Sequence, residues 1–178
     1  MKMLRCRICG ETYLGDEAPS QCPFCGAHRE FLVAPEGYPS DINEVAPTEI
    51  ERQDLEAAIE LERSNTRFYL GMAQRDDNDA LRSAYKRLAR IEAEHCSLFC
   101  KLAKNPKPAD LLEPGATNDD WAADIAESLE RERRASALYA EFTARATSVR
   151  LREVFGAVAA VERDHIDFDA LARTYVRP

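Results

Sequence analysis

The sequence predicts an all-α fold, a four-helix bundle, preceded by a small cysteine-rich module. Residues 1–34 carry four cysteines and no helical period, whereas residues 48–174 are rich in Ala, Leu, Glu and Arg with periodic apolar positions. Between them, residues 35–47 contain three prolines and one glycine, which favours an extended linker. We therefore divide the chain into a module (1–34), a linker (35–47) and a bundle (48–178).

Four long helices are expected in the second part of the chain. Thr48, followed three residues later by Glu51, forms a capping-box pattern at the start of the first helix. Short turns join the first helix to the second and the third to the fourth, whereas a connection with three prolines separates the two pairs. Short, long and short connections are typical of a bundle made of two hairpins. The predicted helices cover residues 48–75, 78–104, 118–146 and 148–174.

The composition argues against several classes of protein. A net charge of −8, with arginines interspersed among acidic residues, is unlike the basic patch of a nucleic-acid-binding protein, so we expect no nucleic-acid partner. The sequence contains no apolar leader and no window approaching 18 apolar residues, so we expect no membrane span and place the protein in the cytoplasm. In that reducing compartment, clustered cysteine pairs are more typical of metal sites than of disulfides.

The bundle sequence repeats itself after 70 residues. Apolar positions such as Leu55 and Ile125 follow this register, and so do polar ones, which a shared core alone would not require. The two halves are therefore predicted to be copies of one helix hairpin. The repeated polar pairs are Glu62 and Glu132, Tyr69 and Tyr139, Glu92 and Glu162, and His95 and His165.

The repeated glutamates and histidines have the spacing of metal ligands. Residues three apart share one face of a helix, so Glu92 and His95 project together. Each helix also carries a glutamate within its apolar stripe, and a buried carboxylate costs several kcal/mol unless a cation compensates it. One Glu from each of two helices, with Glu-x-x-His from each of the others, forms a carboxylate-bridged dinuclear iron or manganese site. The predicted ligands are Glu62, Glu92, His95, Glu132, Glu162 and His165.

Other polar side chains receive simpler interpretations. Tyr69 and Tyr139 each lie two turns beyond the glutamate of their own helix, so each can reach only a carboxylate on a facing helix. Cys96 and Cys100 have apolar counterparts in the second half and are predicted to be core residues. His28 has no partner at ligand spacing, and we expect it at the surface.

The module carries two C-x-x-C-G knuckles, in "RCRICG" and "QCPFCG". Four thiolates pre-set a tetrahedral metal site, and the glycine after each pair allows the backbone to turn tightly around it. The ligands alone do not distinguish zinc from iron, and two disulfides are the alternative. The predicted ligands are Cys6, Cys9, Cys22 and Cys25.

Taken together, the two parts resemble a rubrerythrin with its modules in reversed order. "CRICGETYLGDEAPSQCPFCGA" resembles the rubredoxin-type segment of that family, and residues 48–174 resemble its ferritin-like di-iron bundle. The resemblance implies one iron on the four cysteines, a di-iron centre on the six bundle ligands, and reduction of hydrogen peroxide to water. It also implies that an external NAD(P)H-dependent donor supplies electrons through the rubredoxin-type iron. Finally, it implies a homodimer in which the cysteine site of one subunit approaches the bundle of the other.

One position departs from the family pattern. Rubrerythrins carry an extra glutamate three residues after the first glutamate of the third helix, and here that place is Ala135. A ferroxidase or an oxygen-reducing di-iron protein is therefore the enzymatic alternative. A non-enzymatic alternative is an iron-handling or iron-sensing protein with a zinc ribbon at the front.

Overall fold

Four long helices form the bulk of the protein, which a computed structural model describes over residues 1–176. The helices are α1 (Glu49–Met72), α2 (Asp79–Ala103), α3 (Trp121–Arg145) and α4 (Val149–Ala172), and the strands are β1 (Lys2–Cys6), β2 (Thr12–Gly15) and β3 (Leu32–Val33). Helices α1 and α2 pack as one hairpin and α3 and α4 as a second, so the predicted all-α bundle is confirmed. The module in front of it contains a small antiparallel sheet in the order β2-β1-β3.

Each helix begins at a side-chain cap, and the cap of α1 was predicted from the sequence. The Thr48 hydroxyl accepts from the amide of Glu51, whose carboxylate accepts in return from the Thr48 amide. Helix α3 begins three residues later than predicted, because Asp119 has a left-handed φ of 55° and the Asn118 amide donates to the Asp124 side chain (2.7 Å). Its start is therefore set by the cap at Asp120.

Matched contacts hold the two hairpins together. Arg145 at the end of α3 pairs with Asp54 of α1, and Arg75 after α1 lies 3.6 Å from Asp124 of α3. These four residues occupy positions 70 apart, which we call twin positions. The repeat thus extends to the salt bridges that join the hairpins.

The module packs directly on the bundle of its own chain. Arg7 pairs with Glu153 (2.9 Å), and the buried Arg150 donates to the carbonyl of Ile8 (3.0 Å). Gln21 and His28 both contact the carboxylate of Asp164 at 2.7 Å. These contacts place the four cysteines over the seam between α2 and α4. No helix within the described residues is long and apolar enough to cross a membrane.

Candidate metal centres

Six side chains converge in the interior of the bundle as two overlapping groups of four. The first contains Glu62, Glu92, His95 and Glu162, the second contains Glu92, Glu132, Glu162 and His165, and the ligand-type atoms of each lie within 4.8 Å of one another. Glu92 and Glu162 belong to both groups. This is the arrangement expected of two metal positions bridged by two carboxylates, with one further glutamate and one histidine at each.

The side-chain atoms of this cluster fit a metal pair better than a hydrogen-bonded network. His165 Nδ1 lies 3.0 Å from Glu92 and 3.4 Å from both Glu132 and Glu162, but it has hydrogen-bond geometry with none of them. Buried polar atoms normally find hydrogen-bond partners, so several unpaired atoms pointing together indicate a site for a cation. The fully buried atoms without a hydrogen-bond partner include Glu62 Oε2, Glu92 Oε1, Glu132 Oε2, both carboxylate oxygens of Glu162, and His165 Nδ1.

The charges of the cluster also require compensation. Burial raises the pKa of Glu62 well above its usual range, and the nearby charge of Glu92 raises it further. Burial and the charge of Glu162 likewise raise the pKa of Glu132 well above its usual range. Burial would lower the pKa of His95, but the carboxylates of Glu162 (3.5 Å) and Glu92 (3.2 Å) outweigh burial and raise that pKa to about 10. Without metal the site therefore holds protons, and metal binding must release them.

A tyrosine from each hairpin reaches across to a glutamate of the other. The Tyr69 hydroxyl on α1 donates to Glu132 on α3, and the Tyr139 hydroxyl on α3 donates to Glu62 on α1. Both tyrosines are fully buried. They lie where the sequence predicted, against carboxylates of facing helices, and each fixes the orientation of one terminal glutamate.

The two histidines differ in what their outer ring nitrogens meet. Nε2 of His95 donates to the backbone carbonyl of Cys25 (2.8 Å). His165 is 6% exposed and lines a cavity of about 280 Å³, bordered by apolar residues of α2 and α4 and by Gly26. For its Nε2 we find no hydrogen-bond partner within residues 1–176.

The four module cysteines form the other cluster. Sγ of Cys6 lies 3.8 Å from that of Cys25, and Sγ of Cys9 lies 3.8 Å from that of Cys22. A disulfide requires about 2.05 Å, whereas a tetrahedron with metal–sulfur distances of about 2.3 Å has edges of about 3.8 Å. All four thiols are free and buried, so the disulfide alternative is excluded. The neighbouring Cys25 thiol lowers the pKa of Cys22, and Cys22 in turn raises the pKa of Cys25.

The remaining predicted positions lie where they were expected. Cys96 and Cys100 are buried core residues, and burial raises the pKa of each thiol. His28 lies at the surface with its side chain 37% exposed, and its ring also contacts Asp164 and thereby joins the module to the bundle. Ala135 is fully buried, so no carboxylate stands at that place.

Two contacts between the module and the bundle could not be predicted from the sequence: the hydrogen bond to the Cys25 carbonyl and the close approach of Gly26. The Cys25 carbonyl is a backbone atom, and no side-chain pattern indicates that it accepts a hydrogen bond. Gly26 carried a signal, the glycine of the second knuckle, but only its turn was inferred. In the structure its φ is +75°, and a Cβ there would lie 2.7 Å from Cγ1 of Val161. Gly26 therefore also permits the module to approach the α2–α4 seam closely.

Comparison with known proteins gives results for both parts. The sequence profile of the family described as "Rubrerythrin, rubredoxin-like domain" matches residues 5–32. Reverse rubrerythrin-1 of Clostridium acetobutylicum is 33% identical over 120 residues, an alignment that covers 62% of this chain and 66% of that protein. The match thus spans just under two thirds of the relative's length. No solved structure matches the chain at a significant level.

These similarities cover the cysteine module and most of the chain, and the fold adds four helices that bring together two matched sets of carboxylate and imidazole ligands. The chain therefore belongs to the rubrerythrin family, in the arrangement that places the rubredoxin-like module before the four-helix bundle.

Proposed function

We propose that this protein is a non-haem di-iron peroxidase that reduces hydrogen peroxide to water and receives its electrons through an iron bound by the four cysteines. The overall reaction takes up two electrons and two protons for each peroxide and releases two waters. A pair of ferrous ions on the six bundle ligands would supply both electrons for cleavage of the O–O bond. The similarity to reverse rubrerythrin-1 supports this assignment, as do the two ligand clusters.

The observation that carries the proposal is the hydrogen bond between the two clusters. The Cys25 carbonyl, on a predicted ligand of the module, accepts from Nε2 of His95, a predicted ligand of the bundle (2.8 Å). A redox metal at each end would thus be linked by one residue on each side and a single hydrogen bond. Both residues are fully buried, which excludes water from the link.

The other bundle residues have supporting tasks. The tyrosine hydroxyls orient Glu132 and Glu62, while the Glu92 and Glu162 carboxylates are shared between the two metal positions. Complete burial of all four glutamates keeps bulk water from the reacting centre.

The partners belong to the same proposal. An external NAD(P)H-dependent donor would reduce the module iron. The family resemblance suggested a homodimer in which the module of one subunit meets the bundle of the other, but here the contact forms within one chain. A homodimer is accordingly not needed for the electron path, and it stays a prediction.

Ala135 favours a second candidate, a ferroxidase or oxygen-reducing protein. The side chain that rubrerythrins use at this place is replaced by a buried methyl group. The reaction rates of the fully reduced protein with oxygen and with peroxide separate the candidates. A much faster reaction with oxygen would replace the peroxidase assignment.

The electron path is tested with Cys9→Ser, which removes one thiolate from the module. The reduced bundle of this variant should still be oxidised once by peroxide, in stoichiometric amount. It should then fail to turn over with NADH and a compatible reductase. Turnover at the parent rate would refute the relay, and iron analysis of the bundle checks that its metal content is unchanged.

The contact itself is tested with a pair of glycine substitutions. Gly26→Ala forces a Cβ against Val161 and should separate Cys25 from His95, slowing electron transfer from module to bundle. Gly10→Ala is the matched control, because Gly10 follows the other knuckle at a φ of +89° but meets Tyr38 rather than the bundle. Equal transfer rates in the two variants would contradict the proposed path.

A further inference from the structure

The two metal positions have the same ligands but different surroundings. One consists of Glu62 and His95, the other of Glu132 and His165, and both share the bridging carboxylates. These ligands occupy twin positions of the 70-residue repeat. The residues that surround the two metal positions, however, are not equivalent.

Behind Glu132 lies a buried polar network. Tyr69 donates to Glu132, and the Tyr69 oxygen accepts from the Ser128 hydroxyl (3.2 Å). Next to them, Tyr85 donates to Asp169 (2.7 Å), whose second oxygen has no hydrogen-bond partner. We call Ser128, Tyr85 and Asp169 the polar network, and all three are fully buried.

Behind Glu62 the same positions are apolar. The twins of Ser128, Tyr85 and Asp169 are Ala58, Phe155 and Phe99. Phe99 and Phe155 stack on the ring of Tyr139, with centroids 5.6 and 6.2 Å away. Tyr139 therefore donates to Glu62 without receiving a hydrogen bond from a polar neighbour among these residues.

The difference has a predictable effect on Glu132. A hydroxyl that accepts a hydrogen bond becomes a stronger donor, because hydrogen-bonded chains polarise one another. Tyr69 should then withdraw more charge from Glu132 than Tyr139 withdraws from Glu62. Glu132 is accordingly the weaker of the two terminal carboxylate ligands.

The histidines act in the same direction. A ligating imidazole that donates its other N–H to a carbonyl becomes a more basic ligand. His95 has such an acceptor in Cys25 (2.8 Å), whereas His165 faces the cavity of about 280 Å³. His95 is thus the stronger donor, and its position is closed by the module.

We propose that the two positions differ in affinity, with a tightly held divalent metal ion at Glu62 and His95 and an exchangeable one at Glu132 and His165. The cavity beside His165 would admit the exchanging cation, and both Asp164 and Arg87 lie at its border. This inference rests on the proposed dinuclear metal site. It assigns Ser128, whose hydroxyl donates to the Tyr69 oxygen, as a positioning residue that acts through Tyr69. Tyr85 packs beside it, with its ring centroid 5.8 Å from that of Tyr69.

The test is the release of ferrous ions from the intact, anaerobically loaded protein to a coloured chelator. Two bundle ions should leave in two phases whose rate constants differ by about tenfold or more, the usual effect of such outer partners. Glu132→Ala should abolish the fast phase, and Glu62→Ala the slow one. Two ions leaving with one rate would overturn the inference, whereas fewer than two bundle ions per chain would overturn the dinuclear site itself.

The polar network is tested by replacing two of its residues with the apolar residues found at their twin positions. Ser128→Ala and Tyr85→Phe install the twin residues Ala58 and Phe155, so each keeps a side chain that the fold already accepts. The double variant should slow the fast phase toward the slow one and leave the slow phase unchanged. Tyr139→Phe is the control and should change only the slow phase. A fast phase that the double variant leaves unaltered would refute the role of the network.

Discussion

The two hairpins of the bundle contribute the same kinds of metal ligand, but the residues that surround the two metal positions differ. Hairpin α1–α2 and hairpin α3–α4 each contribute a terminal glutamate, a Glu-x-x-His pair and a tyrosine, all in one 70-residue register. Behind these side chains, the Glu62 position meets phenylalanines from both hairpins, whereas the Glu132 position meets the buried carboxylate of Asp169. The comparison teaches that a duplicated sequence fixes the ligands more strictly than the residues that tune them.

The ends of the hairpins show the same freedom. Glu51 of α1 accepts from the amides of Thr147 and Ser148 in the turn between α3 and α4. Its twin, Trp121 of α3, donates from Nε1 to Asp77 in the turn between α1 and α2 (2.9 Å). Each hairpin thus ties down the turn of the other, once with an anion and once with an indole.

The largest effect on metal content is expected from the glutamates that both metal positions share, and a smaller one from the glutamates that belong to a single position. Glu92→Ala and Glu162→Ala should each abolish binding of both bundle metals, because each carboxylate belongs to both positions. Glu62→Ala and Glu132→Ala should each cost one ion only. Metal analysis of the four variants checks this, with the cysteine-bound ion as the internal reference. Full metal content after loss of a shared glutamate would rule out a bridged site.

The second prediction concerns the module, which covers the His95 side. About 30 residues bury too little apolar surface to fold without a metal, so Cys22→Ser should leave the module protease-sensitive while the bundle stays helical. Hydrogen exchange should then rise near His95, where the module is lost, and much less near Tyr85. A protease-resistant module without metal would contradict this view.

The repeat explains which parts of the site could be predicted. Subtraction by 70 selects polar residues that occur twice, and it therefore finds ligands such as Glu132 among several other glutamates of α3. The same comparison does not select Ser128, Tyr85 and Asp169, because the residues at their twin positions are apolar. Helix ends were less accurate, since Asp119 turns the chain out of helical geometry by a left-handed φ. The docking of the module depends on a backbone carbonyl and on the missing Cβ of Gly26.

A moderate effect is expected from Glu51→Gln. Burial would raise the pKa of Glu51, but hydrogen bonds from the Ser148 and Thr48 amides outweigh it and lower that pKa to about 2. The unfolded value is about 4.3, so the carboxylate stabilises the fold by roughly 3 kcal/mol above pH 4.3, and this is lost as pH falls toward 2. Urea denaturation should show a loss of about 2 kcal/mol at pH 7 that shrinks below pH 4.

The twin of Glu51 provides the control for that experiment. Trp121→Phe removes the hydrogen bond to Asp77 and part of a buried ring that stacks on Tyr85, but it removes no charge. Its loss of stability should therefore depend much less on pH than the loss in Glu51→Gln. Equal pH dependence in the two variants would mean that the charge of Glu51 has no special role.

The smallest effect should come from Asp169, which has a phenylalanine as its twin. Burial raises the pKa of Asp169 to about 6, against the opposing hydrogen bond from Tyr85. An unfolded aspartate titrates near about 3.9, so the folded state binds the proton more tightly, and ionisation destabilises the fold as pH rises from about 4 to 6. Asp169→Asn keeps an acceptor for Tyr85 and should raise the free energy of unfolding by about 1–2 kcal/mol at pH 8, with no gain below pH 4. Tyr85→Phe should have the opposite sign at pH 8, because it leaves the carboxylate with one donor fewer. A variant Asp169→Asn that is less stable than the parent at pH 8 would show that the buried charge is already compensated; a gain would show that this hairpin keeps a costly carboxylate where its copy keeps an apolar ring.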